Sequence, residues 1–339
     1  MSYLAVTVHA RPHVVGAQEL VVDASRLKTF LLSVARLTVG QKAELLATLQ
    51  SGGHEQEVCS LVESRLAETL ACPHCRCIKV VRNGSASGLQ RYKCRDCRRT
   101  FNALSTTPLA RLRMKSKWLE QQDVLLQGLS VNKAAAVLEV AATTAFRWRH
   151  RFLKLAQSAK AAELTGVVEA DETFFLRSSK GQRPGRQARK RGGHATRKDR
   201  GMDLIPILVV RDRSGATADF LLQAVSKACI GEALKPRIHS DAILCTDGSA
   251  AMAAAAIDLG VQHVALNLSA GQRVRGPWHI QNVNAYHGEL KKWIARFRGV
   301  ATDYLESYLG WFRALERASK RRLKSAPILA LALGLEGHH

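Results

Sequence analysis

The apolar positions of this chain change their period twice. Near the amino terminus Thr38 and Gln41 stand at capping-box spacing ahead of Leu45, Leu46 and Leu49, and Ser51-Gly52-Gly53 closes the run. That pattern predicts a helix ending at the glycines, within a helical module over residues 1–71. A Cys- and Arg-rich unit with Gly84 and Gly88 in its middle follows at residues 72–105. Helical spacing returns over residues 116–157. Trp118, Val124, Leu125 and Leu129 fit one helix and Ala134 to Leu138 a second, while Thr143 or Thr144 caps a third that runs to Leu155. From Gly166 the pattern is that of strands. Val167–Leu176 and residues 204–211 and 242–247 are β-rich, Asp212-Arg213-Ser214-Gly215 is a turn, and residues 263–268 form a further strand. A long helix is predicted over residues 282–297, with more helix beyond it, basic from Lys291 to Lys324.

With 339 residues, 46% of them hydrophobic, the chain can bury a core in two or three domains, which excludes wholesale disorder. No apolar run is long enough to span a bilayer. No basic segment followed by an apolar stretch opens the chain, so a cytoplasmic protein is expected. Charge changes the picture most. Lys and Arg number 51 against 28 Asp and Glu, a net +23, yet residues 1–71 hold 6 basic and 7 acidic side chains. The whole excess therefore lies beyond residue 71. Ten Lys or Arg and one Asp fall within residues 177–200, a basic insertion between the first two strands. Such surface gains free energy by releasing counterions from phosphates, so a polyanion partner is implied. A merely soluble basic protein is the plainer alternative.

Eight cysteines in a cytosolic chain of this length do not make a disulfide scaffold. Cys72-Pro-His-Cys75 and Cys94-Arg-Asp-Cys97 are two C-x2-C knuckles with 18 residues between them. Four thiolates so spaced can close a tetrahedron around Zn2+, and metal binding would supply folding free energy that so small a unit lacks. Cys77 is a possible substitute ligand without a matching second member. Cys59, Cys229 and Cys245 read as buried thiols. Arg91, Lys93, Arg95, Arg98 and Arg99 surround the second knuckle and suit nucleic acid. Residues 131–138 and 143–155, two short helices with a tight break, match a helix-turn-helix whose second helix carries Arg147, Arg149 and Arg151. Thr143, Arg147 and Arg151 recur every fourth residue and share a face, with Phe146 and Leu153 turned to the core. A plain helical bundle with a solvated charged face is the alternative.

The sharpest chemistry lies in the strand-rich half. Val167-Val168-Glu169-Ala170-Asp171-Glu172-Thr173 sets an aspartate inside an apolar strand, and Ile243-Leu244-Cys245-Thr246-Asp247-Gly248 sets another at a strand end. Burying a carboxylate there is costly unless something pairs it, and a divalent cation does so. Gly248 permits a sharp turn. Asn284 and Lys291, seven apart on the predicted long helix, face the same way. Glu172 adjoins Asp171 and points to the opposite sheet face, so it is set aside as a ligand. His279 and His287 flank Asn284 and read as positioning or packing groups, and Trp278, Trp293 and Trp311 as core.

The order of these stretches resembles the DDE-type insertion-sequence transposases, specifically the family numbered fifteen-ninety-five. The matching segments are CPHC…YKCRDCRRTF, VEADETFF, GQRPGRQARKRGG, TDGSAAM and HIQNVNAYHGELKKWIARFRGVATDYLESYLGWFR, spread over residues 72–315. The resemblance implies a zinc ribbon (72–105), a helix-turn-helix (116–157), an α/β ribonuclease-H-like, retroviral-integrase-like domain with a mixed central sheet (166–315), and a basic tail (316–339). It implies Asp171 on the first strand of that sheet and Asp247 on the fourth. Related enzymes complete the metal site with a helical glutamate and a basic residue seven later. Asn284 and Lys291 stand at those positions, with Glu289 as a fallback that would point elsewhere. The implied set is Cys72, Cys75, Cys94 and Cys97 for structural Zn2+, and Asp171, Asp247 and Asn284 for Mg2+ or Mn2+. Arg147, Arg151, Arg186, Arg189, Lys190 and Arg191 would bind DNA. The implied activity is binding of terminal inverted repeats, cleavage of phosphodiesters by metal-activated water and joining of 3′-hydroxyl ends to target DNA, by a homo-oligomer on double-stranded DNA in the prokaryotic nucleoid. An inactive DNA-binding regulator and a structure-specific nuclease are the rival readings.

Overall fold

The computed structural model describes residues 24–67, 69–181, 204–266, 270–321 and 327–335. It divides into two compact units, Met1–Gly52 and Gly53–His339. Helix α1 (Ala24–Ala35) lies in the first, and helix α2 (Val39–Ser64) begins there. The capping box at its start forms as expected. Thr38 Oγ1 accepts from Gln41 N at 3.3 Å and Gln41 Oε1 from Thr38 N at 3.0 Å. The predicted stop at Ser51-Gly52-Gly53 is wrong, for α2 continues to Ser64. Each interior glycine costs a helix about 1 kcal/mol relative to alanine. Fully buried Val58 and Val62, together with Glu63, which accepts from Gln90 N at 2.7 Å, hold the later turns.

Strands β1 (Val80–Ala86), β2 (Leu89–Cys94) and β3 (Thr100–Phe101) form a small antiparallel sheet carrying both cysteine knuckles. Its own apolar cluster is little more than Cys72, Cys94 and Phe101. Helices α3 (Trp118–Leu126), α4 (Val131–Val137) and α5 (Ala142–Phe152) follow. Ser130 caps α4. The cap expected for α5 from Thr143 or Thr144 is not made: its first turn begins after Ala141, with no side-chain acceptor.

The second half is built on five strands: β4 (Val167–Leu176), β5 (Leu204–Asp212), β6 (Thr217–Leu221), β7 (Ile243–Thr246) and β8 (Gln262–Ala265). They lie in the order β6-β5-β4-β7-β8. β4, β5 and β6 pair antiparallel, whereas β7 runs parallel to both β4 and β8. In chain order this is 3-2-1-4-5, the mixed ribonuclease-H-like sheet that the resemblance implied. Helices α6 (Lys227–Leu234) and α7 (Ala250–Leu259) pack on one face, where Leu208, Val210, Leu244, Ile230 and Met252 are buried. A short hairpin of β9 (Val274–Arg275) and β10 (Trp278–His279) leads into α8 (Gln281–Ala295), and then come α9 (Leu305–Arg321) and α10 (Pro327–Leu333).

The opposite face of the sheet, with Ile205, Ile207 and Val209, is covered by Val283, Tyr286 and Leu290 of α8. The same cluster holds Trp118, Leu125, Phe152 and Leu153 of the preceding helices. One core therefore joins the α3–α5 region to the five-stranded half. Trp293 and Trp311, edge to face at 5.0 Å, lie in it as expected, while Trp278 is only half-buried. No described helix is long and apolar enough to cross a membrane.

Candidate active site

Side chains of β4 alternate between two layers. Asp171 pairs with Val209 and Glu172 with Leu208, and those two residues belong to the cores on opposite faces of the sheet. Strand β7 is short and pairs with β4 only as far as Glu169. Asp247 follows its last residue, and β4 runs on past it. At that step the carboxylates of Asp171, Glu172 and Asp247 meet, one oxygen from each lying within 4.8 Å of the others. Sequence reasoning paired Asp171 with Asp247 and set Glu172 aside. Glu172 does take the opposite face, but on the β7 side β4 is unpaired beyond Glu169, and its carboxylate joins the cluster at that open edge. The offset between two strand ends is not written in the residues.

The backbone beyond β7 is built for this corner. Gly248 has φ of +82°, and a Cβ there would stand 3.0 Å from that of Ala265. Thr246 Oγ1 meets His263 Nε2 at 2.8 Å and accepts from Gly248 N at 3.0 Å. Asp247 Oδ1 accepts from Ser249 N at 3.0 Å, and Ser249 caps α7.

The carboxylates receive little from the protein. Asp171 Oδ1 accepts from Glu172 N at 2.9 Å, and Glu172 Oε1 is buried without a hydrogen-bond partner among the described residues. Burial, then the charge of Asp247, pushes Asp171 up to about 6 against a pull from Lys291. Burial, then Asp171 and Asp247, pushes Glu172 up to about 7. A crowd of hard oxygens short of donors is the donor set of a divalent cation such as Mg2+.

Helix α8 faces this cluster. Asn284 is exposed in its first turns, His287 follows one turn later and Lys291 two turns later. His287 Nδ1 is 3.7 Å from Asp171 Oδ2 while its Nε2 is buried and unpaired among the described residues. Burial, then Lys291, pushes the imidazole down to about 4, so it is neutral at pH 7 and no ion pair forms. Glu289 is exposed and paired with Lys292 at 3.0 Å, away from the carboxylates. His279 serves a different group, for its Nδ1 is 3.4 Å from Glu169.

Four thiols form the second cluster. Cys72, Cys75, Cys94 and Cys97 have all their sulfurs within 4.8 Å of one another, and the Cys72–Cys97 and Cys75–Cys94 pairs are 3.6 Å apart. A tetrahedron with Zn–S bonds of about 2.3 Å has edges of about 3.8 Å, so a zinc ion fits. The two knuckles repeat one turn. Cys72 N donates to Cys77 O and Cys94 N to Arg99 O, and Arg76 and Arg98 each take a positive φ. Lys93, Arg95, Arg98 and Arg99 are exposed beside the second knuckle.

The charged face expected on α5 is only partly exposed. Thr143 and Arg147 are exposed and, with Ala142 and Phe146, line a shallow depression. Arg151 does not join them: its guanidinium donates to the carbonyls of Pro108 and Ala110. Arg149 is 1% exposed, stacks 5.0 Å over Trp311 and donates to Tyr308 Oη and Leu129 O. Four-residue spacing identifies a shared face but not a neighbouring loop that occupies it. Arg186, Arg189, Lys190 and Arg191 lie outside the described residues.

Residues 163–313 match the model of the ISXO2-like transposase domain, and residues 68–98 that of the InsA N-terminal domain. A Halobacterium salinarum protein described as an uncharacterized protein in transposable element ISH50 is 28% identical over 273 residues, covering 78% of this chain and 92% of its own length. Among solved structures, a pre-cleavage Mos1 transpososome is 15% identical with a TM-score of 0.22, covering 60% of this chain and 76% of that one. A simian T-cell lymphotropic virus intasome in complex with PP2A regulatory subunit B56 gamma is 12% identical with a TM-score of 0.27, covering 46% of this chain and half of that one.

Proposed function

The chain belongs to the DDE transposases of the ISXO2-like family, and from that premise we propose that it cuts and joins DNA at the Asp171–Glu172–Asp247 cluster. The observation that carries this reading is the convergence of three carboxylates from two strands within 4.8 Å, short of donors and faced by a helix with Lys291. Divalent ions such as Mg2+ or Mn2+, when bound, activate the attacking hydroxyl and stabilise the leaving oxygen. Asp171 and Asp247 would hold them, Glu172 adding the negative charge that Asn284 lacks and Asn284 contributing a neutral amide oxygen. Lys291 would steady the phosphate under attack, and neutral His287 would keep the Asp171 side of the cluster dry.

In the first step a water oxygen bonds to phosphorus and the bond to the 3′ oxygen breaks, leaving a 3′-hydroxyl at the transposon end and a 5′-phosphate on the flank. In the second that hydroxyl oxygen bonds to a target phosphorus and the target's own 3′ oxygen leaves. One phosphodiester replaces another, and no nucleotide cofactor is needed. The zinc-held ribbon and Arg147 of α5 would hold the inverted repeat, with the basic residues of the 177–200 insertion on phosphates. Two ends brought together require at least two copies of the chain.

Duplexes carrying the element's terminal inverted repeats, incubated with the protein and Mg2+ or Mn2+, test this reading. Metal-dependent nicking at the end and joining to a target are expected, with both lost in Asp171→Asn. Tight binding without cleavage would instead identify a regulator, the reading that an amide at position 284 favours. Cleavage of flaps or junctions without preference for inverted repeats, and without joining, would identify a structure-specific nuclease.

A further inference from the structure

Helix α8 carries Asn284, His287 and Lys291, yet of its first N–H groups only that of Gln281 meets a local side chain, His279 Nδ1 at 3.3 Å. Ile280 precedes it with no side-chain acceptor, and its first turn has no acidic residue. The orphan N–H groups at such a helix start need an acceptor, and a negative charge there is favourable. The acceptor comes from β4. Glu169 is 0% exposed, and its Oε2 takes the N–H of Asn282 at 2.8 Å and of Val283 at 3.0 Å. These are the second and third helical positions, the ones a local capping side chain would serve. Its Oε1 takes Asn282 Nδ2 at 2.9 Å and lies 2.9 Å from Arg213 in the β5–β6 turn. Arg213 also bonds Pro277 O at 3.1 Å and His279 at 2.6 Å, tying in the hairpin that leads into α8.

Glu169 stands two residues before Asp171 and on the same face of β4. The helix start is thereby indexed to the strand that carries the first aspartate. We infer that Glu169 is a positioning residue, fixing α8 so that Asn284, His287 and Lys291 face the Asp171 corner. Arg213 is its charge partner. The inference rests on the cleavage reading, and nothing in the motif spacing pointed to it, since the partners are 113 residues apart.

The test uses the full chain and Glu169→Gln, which keeps the shape and loses the charge and one acceptor. Should that variant fail to fold, Glu169→Gln/Arg213→Gln removes the stranded guanidinium and takes its place. Amide exchange over residues 281–288 is expected to speed up by about tenfold or more beyond whatever change the lower global stability brings to β4 and α5. On end-sequence DNA with Mg2+, at a temperature where circular dichroism shows full folding, kcat is expected to fall about 100-fold, the order of a ~1 Å misplacement, with KM for DNA unchanged. Unaltered exchange at 281–288, or a kcat per folded molecule equal to wild type, would overturn the inference. A wild-type protein that never cleaves would overturn the cleavage reading, and the exchange measurement would still decide whether Glu169 anchors α8.

Discussion

Two sets of carboxylates on one strand are treated in opposite ways. Glu169 is fully buried and receives three hydrogen bonds and the guanidinium of Arg213. Asp171 and Glu172, two and three residues on, share their corner with Asp247 and receive almost nothing, so burial and mutual repulsion raise their pKa values to about 6 and about 7. A carboxylate that the protein has satisfied has already been used, to join a helix to a strand. One left short of donors beside others like it keeps its lone pairs for something from outside. The difference predicts that neutralising the two kinds of residue changes activity and stability in different combinations.

The largest effect should come from the unsatisfied set. Asp171→Asn or Asp247→Asn is expected to lower metal-dependent cleavage by about 1000-fold or more, because each removes a charge from the cation's cradle. Binding to end DNA should persist, and gel-shift and nicking assays on the same preparations separate the two. Retained cleavage in either variant would end the proposed assignment. Next is the satisfied residue. Glu169→Gln strands Arg213 and the α8 N–H groups, and breaking such a pair costs about 3 kcal/mol. Urea unfolding at pH 8 without metal should show that loss, whereas Asp171→Asn should be no less stable than wild type. Equal destabilisation by both would erase the contrast.

A smaller effect follows from pH. The folded-state pKa of Asp171 lies above its ordinary 3.8, and that of Glu172 above 4.5, so the folded protein binds these protons more tightly than the unfolded chain. The stability they contribute is present below about pH 4 and lost as pH rises, through about 6 for Asp171 and about 7 for Glu172. With the ribbon's Zn2+ retained and no Mg2+ or Mn2+ added, urea midpoints should therefore fall over that window. Added Mg2+ should reverse the fall above it, and Asp171→Asn should flatten the slope. A midpoint that rises with pH in wild type but not in Asp171→Asn would mean that the cluster is relieved from within the protein.

What the sequence revealed follows from how local each feature is. Cys72, Cys75, Cys94 and Cys97 sit in two tight turns, and their spacing alone brings each pair together. Asp171 and Asp247 stand out because a carboxylate in an apolar run must be paired with something, and a divalent cation is a ready partner. The glycines at 52 and 53 misled, since the packing of Val58 and Val62 that carries the helix past them depends on residues far along the chain. Glu172 was set aside by strand alternation, correctly as to face, while the early end of β7 is a property of the assembled sheet. Glu169 looked like one more strand residue because every group it serves, apart from its own strand, arrives after residue 212.

The same distinction should hold at the smallest scale, between two arginines one turn apart on α5. Arg151 is half-buried and committed to the carbonyls of Pro108 and Ala110, whereas Arg147 is exposed at the rim of a depression shared with Thr143 and Phe146. If the free one contacts phosphate, Arg147→Ala should weaken binding to end and unrelated duplexes alike and reduce the log–log salt slope by about 1. Arg151→Ala should leave that slope unchanged and cost about 1 kcal/mol of stability, the worth of hydrogen bonds from a charged donor at a half-exposed site. Fluorescence anisotropy across a salt series, paired with urea unfolding, reads both quantities. A slope that falls with Arg151→Ala rather than with Arg147→Ala would mean that the loop at residues 108–110 releases its arginine to DNA. In that case the contacts of the free protein would not report which charges are spent.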